Sequence, residues 1–305
     1  GPQQKATNNT IAQLIQQLTN GGRMCEPKWL HLGKTEGKTE MNWLIEEGMF
    51  TENEEALIKE LKAQNQKVAT VKYIPFGEPM SKTPFDDKTD VIFYGSLGLC
   101  QLVQKERPNW SPGAIGTWDN FLCSTYYPHF GNLLLNADHE MTTIKELNER
   151  KDYFFETFGQ DNTIFIRPDS GLKMFTGTRM YKEAWEELFK LVTFYDEVKD
   201  DSKVLVSSPK NIKKEYRFVI SEGKVITGSS YRFGEELSSR EYNNPVIYKW
   251  VEQVLTKAKW EPDRMWTLDL ADTGNQFKIL EIGCFSGAGL YSCNLKKIIE
   301  RVLEL

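Results

Sequence analysis

The spacing of apolar positions changes several times along the chain, and each change predicts an element. Residues 1–40 are polar and irregular, with one amphipathic stretch, TIAQLIQQL, and the repeat GKTEGKTE at 33–40. They read as an extension, and the leading Gly1-Pro2 reads as a cleavage scar. Convincing patterning begins at Met41. Residues 41–47 read as a strand, TENEEALIKELKAQ as a helix capped by Thr51, and KVATVKYI as a second strand. DVIFYGSLGL gives a buried strand ending at Gly95-Ser96. Strands alternating with a helix predict a small parallel unit.

The aromatic, turn-rich run RPNWSPGAIGTWDNFLCSTYYPHFG predicts a long ordered loop whose rings serve packing. Helical spacing returns at 141–159, followed by a strand at 163–167, a helix at 181–194 and the strand KVLVSS at 203–208. EYRFVISEGKVITGSSYRF then reads as a hairpin turning at Glu222-Gly223. A helix at 244–259 follows, then MWTLDLAD and FKILEIG as strands around Thr273-Gly274-Asn275, and LKKIIERVLEL as a closing helix. The predicted class is α/β, becoming α+β towards the end. The predicted divisions are the extension 1–40, a Rossmann-like unit 41–135, a central αβ unit 136–208, and an antiparallel sheet with helices over 209–305.

Composition narrows the chemistry. A net charge of −5 argues against a general nucleic-acid or membrane-surface binder. No apolar run approaches the roughly 18 residues that span a bilayer, and the first residues carry no secretion-signal pattern. The five cysteines are odd in number and form no CxxC pair, which points away from structural zinc or a disulfide framework and towards the cytoplasm. The three histidines lack metal-ligand spacing, which disfavours a histidine-based hydrolase or zinc enzyme.

Three constellations carry chemistry. In IFIRPDSGLKMFTG, 164–177, Arg167 ends an apolar strand, and Ser170, Gly171 and Lys173 follow in a loop closed by Gly177. Fixed and mobile cations beside close-approaching backbone suit phosphate, although a surface hairpin has the same composition. In EYRFV, alternation puts Glu215 and Arg217 on one face, with Arg232 on the returning strand. This is a solvated stripe or a ligand-facing one. Asp269 and Glu281 stand within apolar runs of two adjacent strands, where an acid needs a cation: Mg²⁺, or an arginine in a structural salt bridge.

In this order the motifs IRPDSGLKMFTG, EYRFVISEGKVITGSSYR and LDLAD…ILEIGCFSGAGLY resemble the ATP-grasp superfamily, in the subgroup with Arg-Pro in place of the usual Lys on the phosphate-binding strand. The resemblance covers about 41–305, its specific motifs lying between 164 and 291. It implies an ATP-grasp fold with ATP between the middle and last units. Arg167 and Lys173 would hold phosphates, Ser170 and Gly171 would shape the loop, and backbone near Val206 would meet adenine. Glu215 would lie near the nucleotide. Arg217 and Arg232 would act in catalysis, steadying the transferred phosphoryl group or the substrate carboxylate. Asp269 and Glu281 would bind Mg²⁺, and Lys151 stands where many members have another phosphate-contacting base. One departure is Gly283, where many members carry Asn; Ser286 and Asn294 are nearby oxygens at other positions.

The implied activity is carboxylate–amine ligation through an acyl phosphate, with small-molecule or peptide acid and amine as partners. It requires no protein nucleophile, and Cys284 and Cys293 read as packing. The alternatives are an ATP-binding regulatory module with degraded catalysis and phosphoryl transfer to a non-carboxylate acceptor.

Overall fold

The computed structural model describes residues 38–305 except 74–76, 78–79, 81–82 and 173. The TIAQLIQQL helix, nearly all of the polar extension and Lys173 therefore lie outside the described residues. The chain divides into two compact units. The first is discontinuous, made of Gly1–Thr117, Lys213–Phe277 and Glu281–Leu305; the second is Trp118–Ile212 with Lys278–Leu280.

The first stretch of unit one contains β1 (Asn42–Glu46), α1 (Thr51–Ala63), β2 (Lys67–Val71), β3 (Val91–Tyr94) and α2 (Leu97–Glu106). The strands form a parallel sheet in the order β2-β1-β3. β1 is central and β3 wholly buried, which is why both read as continuous apolar runs rather than alternating ones. The expected Thr51 cap is corrected: Phe50 is the N-cap of α1, and it makes no side-chain cap bond. The carboxylate that folds back is Glu54, accepting from the Gly48 N–H at 2.8 Å. Ser96 caps α2 through a bond from the Leu99 N–H.

Unit two contains α3 (Cys123–Phe130), β4 (His139–Thr143), α4 (Ile144–Glu149), α5 (Lys151–Phe158), β5 (Thr163–Pro168), β6 (Thr178–Tyr181), α6 (Trp185–Val192) and β7 (Lys203–Ser207). Its antiparallel sheet runs β4-β7-β5-β6. The helix expected at 181–194 runs Trp185–Val192, with Tyr181 ending β6, and two further expectations change here. The aromatic loop contains a helix, α3. The expected helix over 141–159 starts as a strand, because Met141, Thr142 and Thr143 pair with β7 and β-branched side chains suit a pleated surface better than a helix turn. Thr143 then caps α4 through a bond from the Glu146 N–H.

The last stretch returns to unit one with β8 (Lys214–Ser221), β9 (Lys224–Phe233), β10 (Glu236–Glu241), α7 (Pro245–Ala258), β11 (Met265–Asp272), β12 (Phe277–Cys284) and α8 (Leu295–Leu303). Its five strands are ordered β10-β9-β8-β11-β12. The β8–β9 turn is where the sequence places it, with Glu222 and Gly223 both left-handed at φ 46° and 75°. That is the twist a two-residue hairpin loop requires. Asn244 caps α7, accepting from the Val246 and Ile247 N–H groups, and Pro245 opens the helix. The last stretch shares one hydrophobic core with the first: Trp43, Ile45, Leu57 and Leu61 pack with Val219, Phe285, Ile298, Ile299 and Val302. Among the described residues, no helix is long and apolar enough to cross a membrane.

Candidate functional site

The richest grouping of chemistry in unit one lies on one face of the β8–β12 sheet. β8 presents Glu215 and Arg217 on alternate positions, while Tyr216 and Phe218 are buried on the opposite face with Tyr242. β9 returns past β8 with a register shift between Glu215 and Tyr216: Glu215 stands opposite Arg232, and Tyr216 opposite Ser230. Strict alternation would send Tyr231 and Arg232 to opposite faces. The bulge brings both to the charged face, where Arg232 Nε meets Glu215 Oε2 at 2.9 Å and the Tyr231 hydroxyl donates to Asp269 Oδ2 at 3.3 Å.

β11 places Asp269 directly opposite Arg217. The guanidinium grips the carboxylate with two parallel bonds, Nε to Oδ1 at 2.8 Å and Nη2 to Oδ2 at 2.9 Å. The Asp269 side chain is 2% exposed and that of Arg217 13%. The third donor, Nη1, goes to the Gly289 carbonyl at 2.8 Å. Each of the three Arg217 nitrogens thus donates one bond, and against the opposing effect of burial the Asp269 carboxylate beside it holds the guanidinium well above its ordinary pKa. Tyr231 and Tyr291 stack in parallel, ring centroids 4.6 Å apart, with the guanidinium carbon 5.0 Å from the Tyr291 centroid.

Glu281 on β12 lies within electrostatic reach of Glu215 and Tyr231. Three carboxylates thus share this face with two guanidiniums, Arg217 and Arg232. Burial, together with the charges of Asp269 and Glu281, pushes the Glu215 carboxyl up despite Arg232. Oxygen donors and a surplus of negative charge fit a hard divalent cation. Among the described residues no three His, Cys, Asp or Glu side chains group to hold a metal, so a cation here needs oxygens from elsewhere.

Each of the two suggested extra oxygens accepts a backbone hydrogen bond. Ser286 Oγ accepts from the Ile115 N–H at 2.7 Å, and Asn294 Oδ1 accepts from the Lys297 N–H at the start of α8. Gly283 has a local reason: a Cβ there would stand 2.9 Å from Thr267 Oγ1. Cys284 and Cys293 are buried, and burial pushes their thiols up to about 11 and about 12, which suits packing rather than nucleophilic attack.

In unit two Arg167 is buried at the end of β5, its Nη1 donating to the Tyr126 hydroxyl at 3.5 Å and its Nε to the Pro168 carbonyl. Asp169, which no spacing marks, folds back onto α3: its carboxylate accepts from the Ser124 N–H at 2.7 Å and from the Ser124 hydroxyl at 2.9 Å. Ser170 Oγ accepts from the Leu172 N–H, tightening the loop. A Cβ at Gly171 would touch that of Phe121 at 3.4 Å, and one at Gly177 would meet the Phe165 ring at 2.8 Å. Val206 lies inside the ladder, opposite both Glu140 and Ile166, and the chain leaves the sheet only after Ser207. Past that point Lys210 Nζ bridges Asp138 Oδ1 at 2.6 Å and the Ser208 carbonyl at 2.9 Å. Lys151 faces Glu186 at 3.7 Å. Tyr231, Tyr291 and Asp169 were not singled out from the sequence; the bulge and the backbone turns that place them leave no periodic trace.

A family model described as an ATP-grasp domain, family 2 of its clade, matches residues 141–300. Among solved structures, the D-cycloserine synthetase DcsG superposes with a TM-score of 0.57 at 8% identity, covering 87% of this chain and 98% of that one. A D-alanine–D-alanine ligase from Bacillus anthracis gives 0.57 at 12% identity, covering 87% and 96%. The ATP-grasp ligase PsnB, complexed with a minimal precursor, gives 0.53 at 8% identity, covering 86% and 97%. At such identities the likeness establishes the fold, and the fold is ATP-grasp. Among curated proteins no sequence matches.

Proposed function

The chain belongs to the ATP-grasp domain family whose model it matches, and from that premise we propose that it is an ATP-dependent carboxylate–amine ligase working through an acyl phosphate. A substrate carboxylate oxygen attacks the γ-phosphorus of ATP, the bond to the β-phosphate oxygen breaks, and ADP leaves. An amine then attacks the acyl carbon and phosphate departs, leaving an amide. The observation that carries this reading is the charged sheet face, where Arg217 and Arg232 stand among Glu215, Asp269 and Glu281.

In this reading Arg232, 40% exposed at its side chain, is the guanidinium placed to meet the moving phosphoryl group or the substrate carboxylate, and Glu215 orients it. Arg217 is deeper and acts on the same face. Arg167, in place of the usual Lys, supplies fixed charge for ATP phosphates, with Ser170 and Gly171 shaping its loop. Lys173 is assigned to the same role on sequence alone. The adenine contact falls to backbone where β7 ends, around Val206 and beyond. Asp269 and Glu281 would hold Mg²⁺, Asp269 through the oxygens that here accept from Arg217. When bound, the ion would neutralise phosphate charge.

The superposing ligases include one solved with a precursor and one that joins D-alanines, so the acid and amine to test span small molecules and peptides. The experiment is nucleotide chromatography after incubation with ATP, Mg²⁺ and a pool of amino acids, small acids and peptides. Pool-dependent ADP from the wild type, lost in Glu281→Gln, together with an amide product, supports ligation. AMP would overturn it, and a phosphorylated acceptor would assign phosphoryl transfer. A second reading, a nucleotide sensor, draws on the bidentate hold of Arg217 on Asp269 and on the glycine at 283; it predicts ATP binding with no turnover.

A further inference from the structure

Arg217 does more on this face than carry charge. Its fork takes both oxygens of Asp269, a residue that is 2% exposed, and separating such a pair leaves a buried charge without compensation. The guanidinium is also caged from outside. Nη1 is fixed on the Gly289 carbonyl, and the Tyr291 and Tyr231 ring centroids lie 5.0 and 5.8 Å away. Tyr291 adopts φ 48°, a left-handed conformation uncommon for a bulky side chain. Asn53 on α1 holds it there: Nδ2 donates to the Tyr291 carbonyl at 2.9 Å, and Oδ1 accepts from the Leu290 N–H at 3.0 Å.

A divalent cation at Asp269 would face this guanidinium at the same oxygens, and like charges repel. A polyphosphate offers Arg217 another set of oxygens, to which a guanidinium fork is equally suited. Resting on the assignment of Asp269 and Glu281 as cation ligands, we propose that Arg217 is a latch on the cation site: it occupies Asp269 until nucleotide phosphates draw it away, and Asn53 sets the latch through the 289–291 loop. Cation binding is thereby tied to nucleotide binding.

The test is Mn²⁺ titration by electron paramagnetic resonance without nucleotide. Arg217→Met binds roughly tenfold tighter than wild type or better, Arg217→Lys stays near wild type, and adding Glu281→Gln to the Met variant removes the gain. Equal or weaker binding by Arg217→Met, or a gain that survives Glu281→Gln, overturns the latch. Because the Met variant leaves a buried carboxylate unpaired, a wild-type readout stands beside it: the ¹⁵N-observed exchange of the Arg217 Nε–H. It stays slow with Mg²⁺ alone and quickens with Mg²⁺ plus a non-hydrolysable ATP analogue; quickening with Mg²⁺ alone overturns the latch. Asn53→Ala quickens it without nucleotide, and unchanged exchange removes Asn53 from the device. No ADP from the wild type, with the Mn²⁺ order as stated, would remove the ligase reading and leave the latch.

Discussion

Gly283 shows what one missing Cβ does: Thr267 Oγ1 donates to the Gly283 carbonyl at 3.2 Å and fills the space a side chain would need. Gly283→Ala is expected to destabilise by about 1–3 kcal/mol, read as a lower urea midpoint, and Thr267→Ala in the same chain should recover part of it. No recovery would place the strain elsewhere. Glu215 gives a pH prediction. Its carboxyl is raised, so the folded protein holds that proton more tightly than the unfolded chain, and stability falls as pH rises from the ordinary glutamate value through the raised one. The stability of wild type relative to Glu215→Gln should therefore be greatest near pH 4 and decline towards pH 7; the opposite slope in paired urea titrations would mean a net attractive field. The sequence made these residue types visible, since charges inside strands stand out. It did not show that Asp269 would spend both oxygens on Arg217, because that depends on register between strands about fifty residues apart.

At the scale of elements, most strongly periodic segments form as their spacing predicts, and the exceptions β4 and β10 are decided by pairing. The β8–β9 hairpin turns at its Glu-Gly pair because both residues need positive φ, so Gly223→Ala should cost about 1 kcal/mol, checked by urea melts. Asp169→Ala should cost a similar amount by stripping the start of α3 of its acceptor, while Asp169→Asn, which keeps an oxygen, should cost less. Equal losses in the two would show that charge rather than acceptance matters there. Spacing alone predicts helix from residue 141, yet His139–Thr143 form β4, because β7 offers a hydrogen-bonding edge. β10 leaves no periodic signal: ELSSRE has no apolar face, and it is a strand because it borders β9.

For the whole molecule, ligand linkage is the measurable consequence. Mg²⁺ with a non-hydrolysable ATP analogue at about a hundred times its dissociation constant should stabilise by about 2.7 kcal/mol, seen as a raised Tm, and Glu281→Gln should lose the part of the shift that depends on Mg²⁺. An undiminished shift would remove Glu281 from the cation site. Residues around 41–94 and 213–305 share one core although unit two is inserted between them, a fact about long-range packing that no local window contains. The sequence alone determined the mixed α/β class, most elements, the main hairpin turn and the residue types of the charged face, since these follow from local periodicity, turn chemistry and the cost of burying charge. Only the tertiary structure decided which guanidinium meets which carboxylate, that a bulge turns Tyr231 and Arg232 to one face, and that Asn53 holds Tyr291 over Arg217. Those depend on register and on contacts between distant segments, which are settled when the sheet pairs and the core closes.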